Sequence, residues 1–282
     1  MLYVCATPIG NLGDVTPRLL EALRVADLVA AEDTRRTRKL LSHFDIHTPL
    51  TSLFRHNEAQ KSEEMLRLLR EGKDIALVSD AGMPGISDPG MRLVAGAIAD
   101  DLALTVLPGP SAVLTALVAA GFEGPGFCFA GYLPRRSRDL EEKLRGWRRC
   151  GGLLIAFETA QRLPRSLAVL AALVPDRPAA VCRELTKVHE EIARGALRDL
   201  SERYPFPGPK GGHASVRGEV TLVIDLGTQT AQDDARPEPQ AAARSLLGRG
   251  LSRRDTAASL HVCLGLPKRE AERLAREVAA GS

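Results

Sequence analysis

At 282 residues, with 44% hydrophobic and 26% charged residues, the chain has the composition of a folded globular protein with room for two packed domains, which excludes a disordered or fibrous chain. No apolar run reaches membrane-spanning length, and the opening MLYVCATPIG lacks a basic segment followed by a long apolar one, so a cytoplasmic location is expected. The formal charge of +3 does not by itself mark a nucleic-acid binder, but residues 241–282 carry eight basic against four acidic residues, so the tail is the basic part.

Leu2 to Ala6 form a short apolar run that stops at Thr7-Pro8, the pattern of a buried first strand entering the loop PIGNLGD. Thr16 followed by Pro17 starts a helix, because a hydroxyl at the N-cap and proline at the first helical position satisfy and preset its first turn. Residues 28–31 read as a second strand ending at Glu32-Asp33, and TRRTRKLL (residues 34–41) as a helix with Arg35, Arg36, Arg38 and Lys39 on its polar side. His43 and His47 have a metal-like spacing, but Thr48-Pro49 marks a helix end there, and no zinc site is expected. His56 is a weak site candidate, and Asn57 is expected to cap a helix running to about Glu71.

The stretch around which the chain is organised is IALVSDAGMPGISDPG, residues 75–90: an apolar strand that gives way abruptly to glycines and prolines. Gly82, Gly85 and Gly90 permit positive φ or close backbone approach, Pro84 and Pro89 stiffen the loop, and Asp80 and Asp88 supply acceptors. A further strand at residues 104–107 leads through PGPS into a small apolar helix. Repeated strand, loop and helix predict an α/β fold with a mostly parallel sheet, whose ligands lie at the carboxyl ends of the strands. GFEGPG (residues 121–126) marks a domain boundary, giving an N-terminal α/β domain at 1–120 and a second at 121–227. Strands are expected at residues 127–131, 153–157, 179–183 and 220–225, with basic or Gly/Pro-rich loops at 132–138 and 205–218. Residues 228–240 read as a linker, and 241–282 as a helical segment with Ser252 as one cap. The five cysteines are dispersed, with no Cys-x-x-Cys pair, and are expected to be reduced.

Neither G-x-G-x-x-G after the first strand nor G-x-x-x-x-G-K-[ST] occurs, which disfavours a dinucleotide oxidoreductase and a P-loop ATPase, and no G-x-S-x-G nucleophile elbow is present. Physics alone gives an α/β cleft built from glycine loops, without naming its ligand. The segments TPIGNLGD, AEDTRRTRKLL, HNE, SDAGMPGISDPG, LPGPSA, GYLP, RELTKVHEE and GEVTLVI, in this order and spacing, resemble the ribosomal RNA small subunit methyltransferase I family, of the tetrapyrrole methylase class. The resemblance spans about residues 1–226. Two departures stand out: Met83 replaces a usual threonine, and Ala160-Gln161 replace a usual Pro-His.

The resemblance implies two α/β domains of the tetrapyrrole methylase type with S-adenosylmethionine (SAM) held between them, a small C-terminal helical appendage, and a homodimer. It also implies 2′-O-methylation of a cytidine ribose in the decoding region of 16S rRNA, with the rRNA or the small ribosomal subunit as partner. Cofactor contacts are expected from Pro8, Gly10, Asp80, Ala81, Gly82, Met83, Ser111, Ala112, Phe157 and Glu158. RNA phosphates are expected at Arg35, Arg36, Arg38, Arg135, Arg136 and the tail arginines. No general base is singled out; Asp33, Glu58, Glu184 and Glu190 are the candidates. The competing readings are a tetrapyrrole or other small-substrate methylase of the same fold, and a noncatalytic RNA-binding module.

Overall fold

The structure is a computed structural model that describes residues 1–205, 216–227 and 238–280. Most of the Gly/Pro-rich loop expected at 205–218 and most of the linker expected at 228–240 fall outside the described residues. By its internal contacts the chain divides into Met1–Thr115 and Ala116–Ser282.

The first unit is built on a parallel sheet of β1 (Leu2–Cys5), β2 (Leu28–Ala31), β3 (Leu50–Ser52), β4 (Ile75–Val78) and β5 (Leu104–Leu107), in the order β3-β2-β4-β1-β5. Helices α1 (Pro17–Val25) and α2 (Thr34–His43) cover one face, where Leu19, Leu23, Leu40 and Leu41 pack on Val29, Ala76 and Val78. Helices α3 (Glu58–Arg70) and α4 (Met91–Ala99) cover the other, where Met65, Leu66, Leu69 and Leu93 pack on Leu2, Val4, Ile75 and Leu77. With both faces covered, β4 is buried at every position, which is why IALV reads as an unbroken apolar run rather than an alternation. Thr16 caps α1, accepting from the Leu19 amide, with Pro17 behind it. Helix α5 (Ala112–Ala120) spans the division.

Asn57 does not cap α3 as expected. Its Oδ1 accepts from the Phe54 amide and its Nδ2 donates to the Ser52 carbonyl, so the side chain turns back to close the preceding loop. Strand β3 escaped the sequence reading because it is an edge strand of three half-buried residues with no apolar signal.

The second unit holds β6 (Phe127–Tyr132), β7 (Leu153–Thr159), β8 (Pro178–Arg183), β9 (Glu191–Ala196) and β10 (Glu219–Asp225), in the order β6-β7-β10-β8-β9. Only β6 and β7 run parallel; the other pairings are antiparallel. Strand β9, another edge, was not anticipated because five of its six residues are only partly buried or exposed. Helices α6 (Ser137–Cys150), α7 (Leu163–Leu173) and α8 (Leu197–Arg203) pack on this sheet around Leu154, Leu163, Leu167, Leu170, Leu197 and Leu222. Tyr132 lies in β6 and Ser137 in α6, so the basic loop expected at 132–138 shrinks to residues 133–136.

Helices α9 (Pro239–Gly248), α10 (Arg253–Cys263) and α11 (Lys268–Ala280) complete the unit, with α9 starting inside the expected linker and Ser252 capping α10 through the Asp255 amide. They form their own small core and share it with α7 through Leu173, Ala168 and Ala172.

Candidate functional site

In the order β3-β2-β4-β1-β5, strand β1 connects to β2 through α1 on one face of the sheet while its neighbour β4 connects to β5 through α4 on the other. Adjacent strands whose connections leave in opposite directions open a crevice at their carboxyl ends, the usual ligand position in such sheets. The loops after β1 and β4 meet there in a two-way bridge: the Thr7 amide donates to Gly82 O at 2.9 Å and the Gly82 amide to Thr7 O at 3.0 Å. The buried Thr7 hydroxyl donates to Ser79 O at 3.1 Å, and the Ser79 hydroxyl reaches Gly82 O at 3.1 Å. Gly82 holds φ +80°, and a Cβ built on it would stand 3.5 Å from Ile9 Cγ2 and 3.7 Å from Pro110 O. The loops after β1, β4 and β5 therefore converge on one buried glycine. Pro8, Gly10, Asp80, Ala81, Gly82, Met83 and Ser111 all lie on these three loops, and Ala112 is the first residue of α5. The Met83 side chain packs on the core under α3 and α4. Ser111 caps α5, accepting from the Leu114 amide.

Carboxylates crowd the same strand ends. In the parallel register Ala31 lies beside Val78, so the residues that follow each strand are neighbours. Asp80 Oδ1 accepts from the Asp33 amide at 2.9 Å, and its other oxygen lies 3.5 Å from the Arg36 guanidinium. Burial pushes the Glu32 carboxyl up, and the Asp80 charge adds to this against a hydrogen bond from the Asp80 amide. Asp88 is pushed up to about 7, first by burial and then by the charges of Glu32 and Asp80; Arg55 and a hydrogen bond with Ser79 oppose the shift. Arg55 also donates to Ser87 O at 2.7 Å, strapping the far part of the loop to the turn before α3. Neither Glu32 nor Arg55 was singled out from the sequence. Strand order is what brings them here, and no local pattern signals it.

The four carboxylates considered as bases are each engaged by backbone amides. Asp33 caps α2 through the Arg35 amide and holds the Arg35 guanidinium with both oxygens at 3.0 and 2.7 Å; these hydrogen bonds keep its carboxyl far below the usual range. Glu58 Oε1 accepts from the Gly90 amide at 2.8 Å and the Arg92 amide at 3.3 Å, so it caps α4. Glu184, at φ +51°, accepts from Lys187 and the Glu219 amide, both at 2.8 Å; burial raises its carboxyl, but these bonds outweigh it and the net shift is downward. Glu190 accepts from the Thr186 amide at 2.6 Å.

In the second unit, Phe157 on β7 stacks edge-on with Phe129 at 4.9 Å and with Tyr132 at 5.7 Å. Glu158 points into its own unit, where it takes hydrogen bonds from Ser166, the Thr159 amide and Arg162. Its side chain is fully buried. Burial raises its carboxyl against these donors. Ala160 is buried in the core and Gln161 is exposed. Arg35, Arg36, Arg38, Arg135 and Arg136 are all exposed. Among the described residues no group of His, Cys, Asp and Glu side chains is arranged to hold a metal ion, and no helix is long and apolar enough to cross a membrane.

Residues 1–201 match the model of the tetrapyrrole (corrin/porphyrin) methylases, which covers the parallel unit and most of the mixed sheet. That fixes the class as a methyltransferase of this fold. A solved neighbour, uroporphyrin-III C-methyltransferase from Thermus thermophilus complexed with S-adenyl homocysteine, superposes with a TM-score of 0.56 at 16% identity, over 79% of this chain and 96% of that one. Two relatives are far nearer in sequence, both ribosomal RNA small subunit methyltransferase I. The protein from Micromonospora olivasterospora is 40% identical over 98% of this chain and 87% of its own length, and that from Synechocystis sp. is 39% identical over 99% of each. Within the tetrapyrrole methylases, the chain belongs to the ribosomal RNA small subunit methyltransferase I family.

Proposed function

We propose that this chain transfers the methyl group of SAM to the 2′-hydroxyl of a cytidine ribose in the decoding region of 16S rRNA. The observation that carries the reading is the near full-length match to rRNA methyltransferases in a chain whose glycine loops converge at the carboxyl ends of β1, β4 and β5.

The residues present fit the cofactor. A Cβ on Gly82 would lie between the loops after β1 and β5, and Asp80 offers acceptors and negative charge to a cationic sulfonium carrying an amino group. Bound there, SAM supplies an activated methyl electrophile. Pro8, Gly10, Asp80 to Met83, Ser111 and Ala112 would hold it through backbone groups and the Asp80 carboxylate. In the reaction a C–O bond forms to the ribose oxygen, the C–S bond breaks with its electron pair left on sulfur, and the hydroxyl proton passes to a base. The chain's own contribution is alignment and proton acceptance.

We assign the acceptor to Asp88, which lies in the cofactor loop with a proton affinity near neutrality, rather than to the four amide-bound carboxylates. The acceptor must be ionised. Its folded pKa is raised, so the rate of the methyl-transfer step should climb with pH and reach half its plateau near 7, as in general-base catalysis. Asp88→Asn should cut that rate by roughly 100-fold or more and flatten the profile while SAM still binds. A single-turnover pH series on both proteins, with SAM affinity measured alongside, checks this; an unchanged profile in Asp88→Asn overturns the assignment.

The reaction itself is tested by mass spectrometry of 16S rRNA from cells lacking the gene, with and without its restoration. A cytidine 2′-O-methyl group that disappears and returns supports the reading. Transfer to a tetrapyrrole but not to rRNA would favour the small-substrate methylase, and tight RNA binding without SAM binding the noncatalytic module. A homodimer is also proposed, because α5 (AVLTALVAA) has no polar face and exposes Leu114 and Val118. Light scattering decides it.

A further inference from the structure

The turn between β3 and α3 carries residues that the cofactor site does not use. Its sequence is Leu53-Phe54-Arg55-His56-Asn57. Leu53 is buried and its amide donates to Ala31 O at 2.7 Å, continuing the β2–β3 pairing for one more residue. Phe54, the next residue, is 40% exposed. Its amide is held by Asn57 Oδ1 at 2.8 Å and its carbonyl by the Asn57 amide at 2.9 Å, while Asn57 Nδ2 ties the turn back to Ser52 O at 3.2 Å. The turn is thus fixed by its own hydrogen bonds, and it presents an aromatic ring to solvent rather than folding it inward. The exposed His56 ring stands edge-on to Phe54, with centroids 6.3 Å apart. Between them Arg55 runs to Ser87 O, in the loop that also holds Asp88.

Cations lie on the neighbouring turn. Strands β2 and β3 are hydrogen-bonded neighbours with Ala31 opposite Ser52, so the turn that starts α2 and the Phe54 turn leave adjacent strands at the same end of the sheet. Paired strands lie about 5 Å apart. Arg35 and Arg36, in the first turn of α2, have side chains 83% and 61% exposed. An exposed aromatic and imidazole beside guanidinium groups, on a turn braced against the cofactor loop, is the combination that binds unpaired nucleotides: bases stack on the rings and phosphates meet the cations.

We propose that Phe54 and His56 form a stacking platform for an unpaired nucleotide flanking the methylated residue, with Arg35 and Arg36 on its phosphates. The proposal rests on the rRNA reading above for its biological ligand. The platform holds the strand while the target ribose lies over the loop after β4, which explains why Arg55 couples the two.

The test uses the full-length protein and a short fluorescent single-stranded oligocytidylate, read by anisotropy, so it does not depend on methyl transfer. Phe54→Ala should weaken binding roughly ten-fold, the scale of one lost base stack. Phe54→Trp should restore it. SAM affinity should be unchanged in both, and with rRNA as substrate the Phe54→Ala defect should fall on KM more than on kcat. Equal oligonucleotide affinity in wild type and Phe54→Ala overturns the platform, as does failure of Phe54→Trp to restore binding. A change in oligomeric state with RNA affinity intact also overturns it, and makes Phe54 a subunit contact instead. If the wild type binds the oligonucleotide through Phe54 but does not methylate rRNA, the function proposed above falls and the platform stands.

Discussion

Replacing Gly82 with valine is expected to abolish SAM binding, with affinity falling by more than roughly 100-fold, because the side chain enters the point where the loops after β1, β4 and β5 converge. Two separable effects act. The first is conformational: φ is +80° at Gly82, a region where an L-residue costs about 1–2 kcal/mol and a β-branched one more. The second is steric. A Cβ alone makes ordinary contacts to Ile9 at 3.5 Å and Pro110 O at 3.7 Å, but the two valine methyls must extend beyond it, into the space between the loops after β1, β4 and β5. Gly82→Ala should therefore carry mostly the strain and bind SAM with an intermediate loss. Gly121 is the control, since it holds φ +71° and a Cβ added there would meet nothing within 4 Å, so Gly121→Ala imposes similar strain without blocking anything. Calorimetric titration of SAM into the three variants, each first shown to be folded by circular dichroism, separates the effects. Wild-type affinity in a folded Gly82→Val protein would remove the site from these loops.

The loops that build this candidate site were legible in the sequence, for physical reasons. A strand buried on both faces must be continuously apolar, and a glycine-rich loop directly after it has few purposes other than turning tightly or admitting a ligand; IALVSDAG carries both signals in eight residues. The caps at Thr16 and Ser252 were equally plain, since a hydroxyl that satisfies a helix amide acts over three residues. What was not legible depends on strand order. Glu32, Arg55 and Asp88 are far apart in the chain, and only the β3-β2-β4 adjacency brings their charges to act on one another. Glu58 shows the converse. It sits in a family-like HNE segment that reads as a site, yet its oxygen is spent on the Gly90 and Arg92 amides at the start of α4, a long-range cap that no local pattern distinguishes from a catalytic carboxylate. Edge strands β3 and β9 escaped for a simpler reason: they bury too little to leave an apolar signature.

Truncating the chain before α9 should unfold or loosen the second unit, which changes how an RNA role for the basic tail must be tested. Helices α9 to α11 bury Ala243, Leu246, Leu260, Ala271 and Ala275 almost completely, and this cluster includes Leu173 of α7, while Leu246 and Leu251 lie on Ala168 and Ala172. On the α6 side, Arg145 donates to Cys263 O at 3.2 Å while paired with the nearly buried Glu141. Removing one buried leucine from such a core costs about 2–5 kcal/mol, and removing the whole layer exposes α7 along its length, against a total stability of roughly 5–15 kcal/mol. A protein ending at residue 227 is therefore expected to melt at least ~10 °C lower than the full chain, or to aggregate on expression. Its loss of methylation would say nothing about RNA contact. Neutralising exposed cations leaves the packing alone: Arg253, Arg254 and Arg269 all lie on the solvent side of α10 and α11. The triple Gln variant should keep the full-length melting temperature and SAM affinity, and bind rRNA more weakly. Each arginine that meets a phosphate should flatten the slope of log affinity against log salt by about one. Unchanged melting of the truncated protein would refute the packing argument. An unchanged salt slope in the folded triple variant would remove these three cations from the RNA surface, confining it to the arginines of α2 and the turn before α6.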